Sequence, residues 1–124
     1  MKKLHNFILE RLKLNKDTKS MSFYYSLYNI NTDKIEGYDK EIDAIDAVNK
    51  NWENYDESGR RVSITKYDNK NYFNKILDLF NKTDKYSDNQ EKYQKLANEW
   101  GEIMTKHAST KSYSKKEIKE LATS

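Results

Sequence analysis

The sequence predicts a single α+β domain. Three observations carry that prediction. Residues 22–30 and 61–67 read as strands, other stretches repeat apolar residues at three- and four-residue spacing, and polar clusters separate the segments. At 124 residues the chain fits one domain. Leu, Ile, Val and Phe supply 24 of those 124 residues, close to the composition of a disordered chain. Two features argue for a folded one: 23 basic side chains nearly balance 20 acidic ones, and ten Tyr with two Trp supply buriable surface.

The first element is an N-terminal amphipathic helix within residues 1–14. Leu4, Phe7, Ile8 and Leu12 share one face, with Lys2, Lys3, Glu10 and Lys13 on the other. Residues 15–21 then read as a polar tether. The domain proper is 22–124, with a ββαβ core over 22–68 and a helical part over 71–124. Aromatics suit the pleated surface of a strand over 22–30. Phe23, Tyr25 and Leu27 fall on one side, Tyr24, Tyr28 and Ile30 on the other. Asn31 to Lys34 is a turn, so Ile35 to Tyr38 returns as a hairpin. Asp39 is placed to cap the next helix, whose stripe is Ile42, Ile45, Val48 and Trp52.

After a turn at Ser58-Gly59, Arg61 to Tyr67 alternates, with Val62 and Ile64 opposed to Ser63 and Thr65. A helix follows over 71–82 on Phe73, Ile76, Leu77 and Phe80. Ser87 with Gln90 reads as a capping box for a helix carrying Leu96, Trp100, Ile103 and Met104, with a bend allowed at Gly101. Ser114 with Glu117 opens a last short helix. If the third strand pairs with the first, the order is 2-1-3, a three-stranded antiparallel sheet covered by the crossover helix.

Composition excludes several chemistries. With no Cys, there is no disulfide, thiolate zinc site or cysteine nucleophile. No apolar run is long enough to span a bilayer, and no secretory signal is expected, so the reading has no membrane partner. Positive charge gathers only in residues 1–20, whereas a duplex-DNA binder concentrates far more. His5 and His107 have no partner at metal-ligand spacing. Asp39, Asp43 and Asp46 could share a helix face, but opposite Ile42, Ile45 and Val48 they read as a solvated surface. Glu117-Ile118-Lys119 matches a nuclease-like triplet in the wrong setting, a terminal helix. No catalytic constellation, metal site or cofactor is expected, and the chain reads as a non-enzyme.

The aromatics point to binding. Tyr and Trp are favoured contact anchors, and a protein partner is the leading expectation. Phe7, Ile8, Arg11, Tyr24, Tyr28, Arg60 and Arg61 are the expected contacts. The alternatives are a single-stranded nucleic-acid accessory protein that stacks bases on a Tyr-rich sheet, or a minor virion component.

Met1, Lys2, Phe7, Ile8 and Glu10 fit a pattern of Met-Lys, four variable residues, then Phe-Ile-x-Glu. Residues 1–10 thereby resemble the head-targeting peptide of internal proteins packaged by large tailed phages. The resemblance implies a phage protein in the host cytoplasm or the virion, cleaved after Glu10, and cargo of the kind that inhibits a host or defence protein. It covers residues 1–10; residues 20–124 resemble no family.

Overall fold

The computed structural model describes residues 22–56 and 60–123. The expected helix over 1–14 and tether over 15–21 lie outside the described residues, with Phe7, Ile8 and Arg11. So does the Ser58-Gly59 turn.

The described chain runs β1 (Tyr24–Asn29), β2 (Lys34–Tyr38), α1 (Glu41–Lys50), a 3-10 turn (Trp52–Asn54), β3 (Arg61–Tyr67), α2 (Lys70–Thr83), α3 (Gln90–Lys106), β4 (Ala108–Ser114) and α4 (Lys115–Thr123). The sheet order is β2-β1-β3-β4, antiparallel throughout. The 2-1-3 order and the α+β class therefore hold. The expectation of three strands, with helices alone after residue 71, does not.

The fourth strand was hidden because Ala108-Ser-Thr-Lys-Ser-Tyr-Ser shows no apolar alternation. Seven continuous pairs with β3, from Arg61–Ser114 to Tyr67–Ala108, supply the order that its own side chains do not. An edge strand with one face in water needs few apolar residues.

Local signals explain most element ends. The β1–β2 turn is fixed by buried Asn29, whose Oδ1 accepts from the N–H groups of Asn31 (2.9 Å) and Thr32 (3.1 Å). Asp33 closes it in the left-handed region at φ 57°. Asp39 does not cap α1: Lys40 stands at that position and no side chain caps the helix, leaving Glu41 and Asp43 to offset its dipole. The cap of α3 is Asn89, whose side chain accepts from the Lys92 N–H at 3.1 Å. Ser87 instead donates to the Asp84 carbonyl, so the expected Ser87–Gln90 box is not the one used. The Ser114–Glu117 box forms as expected, at 2.8 and 3.2 Å. α3 stays one helix through Gly101.

The sheet is covered on both faces. On one, α1 and α4 bury Leu27, Val62, Ile64 and Tyr113 against Ile45, Val48 and Ile118. On the other, α2 and α3 bury Tyr24 and Tyr67 beneath Phe73, Ile76, Leu79 and Ile103. Phe73 sits against both tyrosine rings, 4.9 Å from Tyr24 and 5.7 Å from Tyr67 between centroids. Gly37 on β2 lies under this aromatic group, where a Cβ would fall 2.8 Å from each of Phe73 and Tyr24. Glycine is needed there for close approach.

Candidate binding cleft

The strand period decides what lies under α2 and α3. With Val62 and Ile64 turned to the α1 face, β3 presents Arg61, Ser63, Thr65 and Tyr67 to the other. The two helices cover the Tyr67 end of that face. Toward Arg61 no described helix covers the sheet, and its side chains there are small and hydroxylated. A cleft of about 560 Å³ occupies the step between the two regions, within the size range of ligand sites.

Register builds the floor. Ser63 lies opposite Ser112, and Thr65 lies between Ser26 on β1 and Thr110 on β4. Ser26 Oγ and the Tyr67 hydroxyl are 2.9 Å apart, and the Thr65 and Thr110 hydroxyls 3.1 Å. When one hydroxyl of such a pair donates to the other, the acceptor keeps its own O–H for a third group. The wall is apolar: Ile76 and Phe80 from α2, Trp100 and Met104 from α3. Phe80 packs 6.3 Å from Trp100 and 6.2 Å from Tyr28, yet Phe80, Trp100 and Met104 are only half-buried.

Among the described lining residues, Arg61 carries the one formal charge. It is fastened across β4: Nε donates to Ser112 Oγ at 2.8 Å, and NH2 donates to the Ser112 carbonyl at 2.9 Å and reaches Glu117 at 3.4 Å. The Ser114 N–H above all, opposed in part by desolvation and aided by the Ser114 hydroxyl, Arg61 and Lys111, holds the Glu117 carboxyl below its ordinary range. Burial raises the Tyr67 phenol, a rise its Ser26 bond partly offsets, so Tyr67 sits in the cleft as a neutral hydroxyl.

The expected contacts separate. Tyr28 and Arg61 line the cleft. Arg60 is exposed next to it in sequence. Tyr24 is 9% exposed and lies in the core beneath Phe73. Phe80, Trp100, Met104 and the Ser/Thr floor were missed. The Ser63–Thr65 alternation was visible in sequence, but their neighbours Thr110 and Ser112 sit on the unforeseen strand.

Other polar groups form separate structures. The Glu36 carboxylate accepts from Tyr55 (2.7 Å), Tyr38 (3.0 Å) and Asn29 (3.0 Å), and burial followed by the Glu36 bond drives the Tyr55 phenol upward. His107 stacks on Tyr72 at 4.1 Å and lies 3.4 Å from Asp68. Among the described residues, no three His, Asp or Glu side chains converge as a metal site. No helix of the described chain is long and apolar enough to cross a membrane. Comparison with protein families, curated proteins and solved structures finds no match to this chain.

Proposed function

We propose that this chain is a small binding protein that acts by protein–protein contact, making and breaking no covalent bond, with the cleft as its recognition surface. The observation that carries this reading is the half-buried wall of Phe80, Trp100 and Met104 facing a sheet surface that no described helix covers. Aromatic, Met and Arg side chains are the types enriched at contact surfaces. The hydroxyl floor adds donors and acceptors that discriminate among partners. The resemblance of residues 1–10 to a packaging peptide supports a phage-encoded protein, acting as an inhibitor of a host or defence protein.

The single-stranded nucleic-acid reading has less support. Stacking needs exposed rings, whereas Tyr24 and Tyr67 are buried. Tyr38 is half-buried with its hydroxyl on Glu36, and the Tyr28 hydroxyl donates to Asp33.

Affinity capture tests the reading, with the full chain and Trp100→Ala compared by mass spectrometry and circular dichroism as the folding control. At least one protein retained by the full chain and lost by the folded variant is the expected result. Equal capture by both, or nothing above a mock column, refutes it.

A further inference from the structure

The edge strand β4 says more about what the cleft receives. Asp68 donates its N–H to the His107 carbonyl at 2.9 Å, which makes that pair a hydrogen-bonded one. Pairs alternate along an antiparallel ladder. Ser109, Lys111 and Tyr113 therefore bond to β3, while Ala108, Thr110, Ser112 and Ser114 turn their N–H and C=O groups outward. Two side chains agree with this at one end. Glu117 accepts the Ser114 N–H at 2.8 Å, and Arg61 reaches the Ser112 carbonyl at 2.9 Å.

That end of the edge is closed. The N–H and C=O of Ala108 and Thr110 and the N–H of Ser112 have no backbone partner among the described residues. Edges are commonly blunted by proline, bulges or charge. The chain has no Pro, β4 pairs without interruption, and Lys111 is its one charged residue.

We infer that β4 takes up an extended acidic segment of another polypeptide as a fifth strand, and that this strand delivers an apolar side chain into the cleft. The inference rests on the protein-contact reading of the cleft. An outward N–H and C=O repeating every second residue match an extended backbone. The side chains set the sequence of that backbone. On the cleft side, Thr110 and Ser112 are small, so a large side chain from the next strand reaches over them toward Trp100 and Phe80. On the opposite side Lys111 is exposed and Lys66 is half-exposed, and the two strands themselves present no carboxylate there. Glu41 from α1 is engaged by the Tyr113 hydroxyl and Glu117 from α4 by the Ser114 N–H, which leaves the outer edge basic. The incoming strand therefore alternates acidic and large apolar residues. Charge also selects against two other occupants. Pairing with a second copy brings two Lys111 side chains together, and residues 1–20 carry six basic groups against two acidic.

The test pans a displayed random peptide library over the immobilised full chain, then follows amide hydrogen exchange with the selected peptides. The expected peptides alternate acidic and apolar residues and slow exchange at Thr110 and Ser112 at least tenfold. Thr110→Pro removes an outward N–H, which an edge strand tolerates, and is expected to abolish binding. Lys111→Glu, which keeps the backbone intact, weakens it about fivefold, the size of one reversed cross-strand charge contact. Peptides that need Trp100 but leave the β4 amides unprotected overturn strand addition and leave the cleft reading standing. Selection of peptides without acidic residues overturns the charge assignment. Protection of Thr110 already present without peptide overturns the inference in favour of self-occupancy. Failure to select any peptide counts against both readings.

Discussion

Replacing Gly37 by Ala places one methyl group against the packed rings of Phe73 and Tyr24. The new Cβ falls 2.8 Å from Phe73 Cζ, 2.8 Å from Tyr24 Cε2 and 2.9 Å from Phe73 Cε2. Carbon atoms rest about 3.5–4.0 Å apart, so something must move by roughly 0.7 Å or more. Neither ring is free to do so. Phe73 is wedged between Tyr24 and Tyr67, and Tyr67 is held in turn by Ser26. Overpacking of this kind costs about 1–3 kcal/mol. Loss of glycine's freedom in the unfolded chain returns about 0.4–1 kcal/mol. The net expectation is a destabilisation of about 1–2 kcal/mol, seen in urea unfolding and as a Tm lower by roughly 5–15 °C. In a Phe73→Leu background two of the three close contacts are gone and Tyr24 has room to shift, so the cost of Gly37→Ala should fall to less than half. A Gly37→Ala protein as stable as the parent, or an equal cost in both backgrounds, would refute the packing account.

Other substitutions probe polar groups. Tyr67→Phe leaves the Ser26 hydroxyl, in a residue 5% exposed, without its partner and should cost about 1–2 kcal/mol in urea unfolding, with Ser26→Ala restoring part of the loss. Because the Glu117 carboxyl is held low in the folded state, its contribution is complete above the ordinary carboxylate value and is lost as pH falls through the lower folded value. Glu117→Gln should therefore lower stability at neutral pH and flatten its decline below about pH 4.5, measured by denaturant unfolding across pH. The Tyr113 phenol is pushed up to about 12, by burial first and then by Glu41. A raised phenol stabilises fully below pH 10 and loses that contribution between 10 and 12. Tyr113→Phe should make the alkaline decline shallower, and ultraviolet titration should show part of the tyrosinate signal appearing only with unfolding.

Several elements were legible because their causes are local. Arg61 to Tyr67 declares itself through Val62 and Ile64, and the reciprocal bonds of Ser114 and Glu117 follow from spacing alone. The stripe Ile45 and Val48 marks the buried side of α1. What escaped depends on distant partners. β4 is a strand because β3 lies beside it. Asn89 rather than Ser87 caps α3 because the chain turns at Ser87, whose hydroxyl goes to Asp84. Trp100 reads as one more residue of an apolar stripe. Its half-exposed position follows from where α2 and α3 end over the sheet, which no window of sequence contains. Tyr24 is a core ring rather than the expected contact: alternation separates the faces of a strand without saying which one a helix will cover.

The layer around Val48 has a consequence for how the molecule is made. Leu27, Val48 and Val62 share a core with Tyr113 and with Ile118, which is wholly buried and belongs to α4. Residues 22–114, about nine-tenths of the domain, must leave the ribosome before its lid exists. Until the chain has passed Ile118, that greasy layer stands open to proteases and chaperones, and an early stop anywhere before α4 yields a product fit for disposal rather than a shortened working protein.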